Sequence, residues 1–190
     1  MLKFCIDYLH ILFYSVPVYV YWGALISIII SFAVLCATQR RKRILRLLGF
    51  LLFAEYVFIL FCSTIFFRQS ESERLINFQP FWSYKAYSDG LTIMLPEHFM
   101  NIVVFIPIGI LVGFCFRSLK WWEVTAIGMG LSSFIEIMQY TLQKGTCDVD
   151  DVIHNTLGFI LGYSLWLIVY GHGRWGKTKK RRIWKNIIVL

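Results

Sequence analysis

The chain has 190 residues, 58% hydrophobic and 16% charged, with a formal net charge of +8. An ordinary soluble domain is nearer half apolar and a quarter charged, so this excess, gathered in long runs, predicts an all-α integral membrane protein. Most basic residues fall in two clusters beside apolar spans, which argues against a nucleic-acid partner; a soluble nuclease or kinase is excluded because no P-loop or Gly-x-Ser-x-Gly pattern is present.

The first apolar segment runs over about 11–37. It does not read as a signal peptide, because Lys3 is followed by Asp7 and the apolar stretch is too long for an h-region. It is therefore expected to remain as a transmembrane helix. Four more segments follow at about 44–67, 99–116, 121–142 and 152–170. Each reaches or approaches the roughly 20 residues that cross a ~30 Å hydrocarbon core. The sequence thus predicts about five transmembrane helices in a single domain over 1–190. Cys5, Cys36, Cys62, Cys115 and Cys147 share no short metal-type spacing, and three of them lie inside apolar runs, where a thiol behaves as a small hydrophobe.

Lysine and arginine set the orientation. Arg40, Arg41, Lys42, Arg43 and Arg46 lie in the first connection, and Arg117 and Lys120 in the third. Arg174, Lys177, Lys179, Lys180, Arg181, Arg182 and Lys185 fill the tail 171–190. The opposite side holds only Lys3, Arg68, Arg74, Lys85 and Lys144. The richer side is cytoplasmic by the positive-inside rule, which puts the N-terminus outside and the basic C-terminal tail inside. Asp7, Glu71, Glu73, Asp89, Glu97, Asp148, Asp150 and Asp151 then fall outside.

The longest outer loop, 68–98, joins the second and third spans. It contains Asn77-Phe78-Gln79-Pro80-Phe81-Trp82-Ser83-Tyr84 and then Tyr87. Aromatics with polar tips suit the headgroup layer. Two readings stay open: an ordinary aromatic belt, or a loop with a short interfacial helix that contacts lipid. Gly109-x-x-x-Gly113 and Gly158-x-x-x-Gly162 are small-residue pairs that let helix backbones approach closely, read here as packing within one chain.

Polar groups converge at the outer ends. Glu136 lies roughly 21 Å along its helix from Trp122, at 1.5 Å per residue, hence inside the membrane. Ser132, Ser133, Gln139 and Tyr140 share its face. Asp151, His154 and Asn155 are spaced i, i+3, i+4 at the start of the fifth span. Asn101 opens the third span and Arg68 ends the second. Glu136 needs a partner at that depth, and Arg68 or His154 would serve. Glu55, mid-span, either joins the same core or stands alone.

These residues resemble the VanZ-like family over about 68–162. The elements are Asn77…Pro80-Phe81, Asn101 followed by Phe105-Ile106-Pro107-Ile108-Gly109, and Glu136 with Gln139. The last is Asp148-x-Asp150-Asp151-x-x-x-Asn155-Thr156-Leu157-Gly158, continuing to Gly162-Tyr163. Family members often carry an arginine shortly before the acidic run, where this chain has Lys144 and Gly145. The first two spans match only in character, so the family-like core is set at about 68–170. The resemblance implies a bacterial plasma-membrane protein. It also implies an association with low-level resistance to teicoplanin-type glycopeptides, which act outside the membrane on lipid-linked cell-wall precursors.

Three mechanisms are compatible with these residues. In the first, Arg68, Asn101, Glu136, Gln139, Asp148, Asp151 and Asn155 bind a membrane lipid, a lipid-linked precursor or a glycopeptide at the outer leaflet. Arg68 or a metal would then offset the acids. In the second, the protein is a hydrolase or transferase on a lipid-linked substrate. Glu136, Asp150, Asp151 and His154 would be catalytic, and Asp148, Asp150, Asp151 and His154 would ligate a divalent cation. In the third, the polar groups only tie helix ends together, with Asp151 and Asn155 capping the fifth span.

Overall fold

In a computed structural model of the protein, the described residues are 14–38, 41–70, 74–88, 94–116 and 119–171, without the side chains of 35, 36, 38, 41–46, 86, 94–96 and 171. The start of the first segment, the basic side chains of the first connection, Arg117, the tail 172–190, and Asp7, Glu71, Glu73 and Asp89 lie outside them.

The chain is mostly helical. Helix α1 is Val18–Thr38 and α2 is Arg41–Phe61, which passes into a π-helical turn, Cys62–Phe66. A seven-residue helix, α3, Trp82–Ser88, interrupts the long loop. Then come α4, Met94–Cys115, α5, Trp121–Thr141, and α6, Val149–Trp166, which runs on as a π-turn, Leu167–Gly171. Among the described residues three stretches are long and apolar enough to cross a membrane: Leu47–Phe66, Glu97–Cys115 and Val149–Tyr170. Val18–Val34 is a shorter apolar helix. Helix α5 is as long as a span but carries Ser132, Ser133, Glu136 and Gln139 along its length, and it is not among the three. Polarity on its inner face is what separates it from the others.

Packing follows from small residues. A Cβ on Gly158 would overlap the Ile102 carbonyl, one on Gly162 the Ile106 carbonyl, and one on Gly113 the Trp166 ring. Those pairs ascend together, so α4 and α6 run parallel, backbone against backbone. Gly128 faces Phe159, and Ser132 bonds Asn155, so α5 is antiparallel to α6. Gly49 faces Phe114 and the Tyr56 hydroxyl donates to the Val104 carbonyl, so α2 is antiparallel to α4. Both Gly-x-x-x-Gly pairs therefore lie on the α4–α6 seam inside one chain. The core beside it is Leu60, Val104, Phe105, Ile108, Val112, Val124, Ile135, Phe159, Tyr163 and Trp166. This arrangement gathers the C-terminal ends of α2 and α5 and the N-terminal ends of α4 and α6 at one end of the bundle.

At that end two short strands form a parallel ladder. Strand β1, Ile76–Asn77, pairs with β2, Cys147–Asp148, in the register Ile76 with Cys147 and Asn77 with Asp148. The long loop is thereby fastened to the corner between α5 and α6.

Candidate functional site

Successive residues on a helix project about 100° apart at 3.6 residues per turn. The acidic run at the start of α6 is consequently divided between two neighbours. Asp148 is the N-cap: its Oδ1 accepts the Asp150 N–H at 2.8 Å, satisfying a backbone donor that the helix cannot. Its Oδ2 accepts the Trp82 indole N–H at 2.7 Å. Asp150 is fully buried. One of its oxygens accepts the Phe81 N–H at 2.5 Å; the other accepts the Ser83 hydroxyl at 2.6 Å and the Ser83 N–H at 3.3 Å. His154 completes the set, with Nδ1 on the Asp150 carbonyl and Nε2 on the Tyr84 hydroxyl at 2.8 Å. These contacts hold Phe81 at a positive φ of 61°, a backbone conformation that costs energy for a residue with a Cβ. Burial pushes the Asp148 carboxyl above the usual carboxylate range. The two hydrogen bonds from Asp150 and Trp82 act against that rise, and the nearby Asp151 and Asp150 add to it.

Asp151 points the other way, into the bundle. Its Oδ1 accepts the Asn101 amide N–H at 2.7 Å and meets His98 Nδ1 at 3.1 Å. The His98 ring stacks on His154, centroids 4.5 Å apart, which brings the two halves of the cluster into contact. Beside Asp151 lies a cavity of about 150 Å³ at the meeting of α2, α4, α5 and α6. Arg68, Asn101, Glu136, Gln139, Asp151 and Asn155 all line it. Glu136 is buried, and one of its oxygens accepts the Asp148 backbone N–H at 3.1 Å. The expected partners, Arg68 and His154, make no such bond; the backbone at the turn into α6 supplies it instead. The Asn155 amide donates to the Ser132 hydroxyl at 2.9 Å, and the Gln139 amide to the Thr64 carbonyl at 3.2 Å, in the π-turn that ends α2.

Asp148 does not line the cavity, because its carboxylate is spent on the cap and on Trp82. Of the four residues read as catalytic, Glu136 and Asp151 face the cavity, while Asp150 and His154 are absorbed by the loop. The metal set Asp148, Asp150, Asp151 and His154 is not brought together either. Among the described residues no three His, Cys, Asp or Glu side chains are placed to hold an ion. Both His154 nitrogens and all four carboxylate oxygens of Asp148 and Asp150 are already hydrogen-bonded within this chain, to Trp82, Ser83, Tyr84 and backbone groups. Glu55 is half-buried on α2, away from the cavity, and makes no hydrogen bond or ion pair among the described residues. Sequence reasoning missed two polar lining residues, Glu97 and Thr64. Glu97 precedes Asn101 by four residues, one helical turn, which was signal enough to find it. Thr64 contributes through a carbonyl that only the π-turn frees.

The sequence profile of the VanZ/LLP1 family matches residues 48–170. The chain belongs to the VanZ/LLP1 family. It is 30% identical over 118 residues to Protein VanZ of Enterococcus faecium, a match covering 62% of this chain and 68% of that protein. No solved structure matches it. The family match begins well before Arg68, so the family core includes α2, which the sequence motifs had left out. Its Arg68 end and the Thr64 carbonyl are part of the cavity wall. Family membership and the three apolar helices together make this a VanZ-like membrane protein.

Proposed function

We propose that this protein is a multi-pass component of the bacterial plasma membrane that acts at the cell envelope. It crosses five times, with α1 and α5 as the two further spans, the N-terminus outside and the basic tail in the cytoplasm. The aromatic loop then lies on the outer face, and the cavity opens toward the outer leaflet. There it holds a lipid-linked or glycopeptide ligand, and so lowers susceptibility to teicoplanin-type glycopeptides.

The observation that carries this reading is the cavity itself. Four helix ends contribute polar side chains to one cavity, in a chain where polar groups at membrane depth are costly and tend to be kept for a purpose. The test is the inhibitory concentration of teicoplanin for a susceptible strain that expresses the protein. The wild type raises it, and Glu136→Gln or Asn155→Leu, present in the membrane at equal amount, returns it to the control value. Wild-type cells no less susceptible than control cells would overturn the proposal.

An enzyme acting on a lipid-linked substrate is the second reading. It is favoured by one feature, the pairing of Glu136 with Asp151 on the same cavity, and it retains only those two of its four acid–base residues. Turnover of lipid-linked precursor by purified protein, lost in Asp151→Asn, distinguishes it from binding.

A further inference from the structure

We infer that the cavity receives a primary ammonium group carried beside a phosphate, as on an aminophospholipid headgroup, with the ammonium among Glu97, Glu136 and Asp151 and the phosphate on Arg68. The inference rests on reading this cavity as a ligand site.

The first support is a count of donors and acceptors. Asn101, Gln139 and Asn155 each commit an amide N–H to an acceptor within the protein. The second oxygen of Glu136, in a side chain only 3% exposed, has no partner among the described residues. Neither has the second oxygen of Asp151, nor either oxygen of Glu97. Each amide keeps one further N–H, so the surplus of acceptors comes from the carboxylates. These oxygens are open to the cavity, so a ligand that brings N–H groups and positive charge would complete their hydrogen bonds.

Charge gives the same answer. Three carboxylates and one guanidinium face this space, and even with the His98 imidazole paired to one Asp151 oxygen the acids outnumber the cations. An anion alone would be repelled from its interior, whereas a cation would be held there. A primary ammonium offers three N–H donors to match the oxygens. A quaternary ammonium offers none and is recognised by aromatic walls. Among the described lining residues the single aromatic is Phe105.

Arg68 explains the second half of the ligand. Its side chain is exposed at the cavity mouth, and its guanidinium makes no hydrogen bond or ion pair among the described residues. Gly145 leaves room for it: a Cβ there would come within 3.2 Å of the guanidinium carbon. A planar fork of free donors suits phosphate. The ligand is thus a zwitterion, anionic end outward. A cavity of about 150 Å³ has room for an ethanolammonium group. Phe66, Phe67 and Phe99, exposed next to Arg68 and Glu97 in the chain, give apolar surface for the lipid tails.

The test uses the full chain in detergent micelles doped with equal amounts of short-chain phosphatidylethanolamine, phosphatidylcholine and phosphatidylglycerol, with retained lipid read by native mass spectrometry. Phosphatidylethanolamine is expected to be retained about tenfold over each of the others. Glu97→Gln and Arg68→Gln should each abolish the preference. Neither side chain holds a hydrogen bond among the described residues, so both variants should melt near the wild-type temperature. Phosphatidylglycerol retained as well as phosphatidylethanolamine overturns the ammonium. A preference that survives both variants overturns the site. Soluble glycerophosphoethanolamine competing at equal concentration would overturn the lipid source and leave the headgroup chemistry. If no lipid preference exists but Glu136→Gln still removes glycopeptide protection, this inference fails and the functional reading stands. If protection is absent while the preference holds, the reverse is true.

Discussion

Asp150 and Asp151 are neighbours in the chain and opposites in the structure. Asp150, with Asp148 and His154, closes onto the loop at Phe81, Trp82, Ser83 and Tyr84, and nearly every polar atom there has a partner from the same chain. Asp151, with Glu97, Glu136 and Asn155, faces a cavity where carboxylate oxygens remain uncommitted. The helical step of about 100° is enough to separate them. A buried acid with its bonds made serves stability; an acid whose oxygens open onto a cavity keeps acceptors to spare. The acidic run is therefore two devices that share a helix turn.

That division can be broken at its foundation or sharpened at either half. The largest effect is expected for Gly162→Val, because a side chain there meets the Ile106 carbonyl and forces α4 and α6 apart, at about 3 kcal/mol or more. Both halves should be lost together, seen as absence of a monodisperse peak in detergent size-exclusion chromatography. Next is Asp150→Ala, which strands the Phe81 N–H and both Ser83 donors at about 3 kcal/mol. It should lower the melting temperature and expose the loop to protease. Trp82→Phe removes one bond to the Asp148 carboxylate and should cost about 1.5 kcal/mol, with lipid retention unaltered. Smallest in stability is Glu97→Gln, within about 0.5 kcal/mol of wild type by melting curve. It should nonetheless remove glycopeptide protection. A melting temperature that falls as far for Glu97→Gln as for Asp150→Ala would erase the distinction between the halves.

Much of the cavity was legible in the sequence. Glu136 and Gln139 stand on a largely apolar helix, and Asn101, Asp151 and Asn155 sit within the first two turns of their helices, so hydropathy and the 3.6-residue period were sufficient to place them. The loop anchor was not legible. Asp150 and His154 find their partners in segments far away in the chain, and two-residue strands leave no periodic signal. Spacing also misleads over His154. It and Asn155 fall on opposite flanks of Asp151, about 100° apart, which is wide enough for one to join the loop and the other the cavity. Glu55 shows a further limit: composition marks a charge as unusual at that depth without saying what it faces.

The parallel pairing of Ile76 with Cys147 joins residues that the chain separates by α3, α4 and α5. That pairing ties the 74–88 segment to the bundle end. The same segment is the natural unit of sub-global opening, since it is held by a few side-chain hydrogen bonds and a two-residue ladder rather than by apolar burial. Hydrogen exchange at the amides of Phe81 and Ser83 would then report that opening directly, and the bundle end beneath it would be uncovered only for as long as those amides are free.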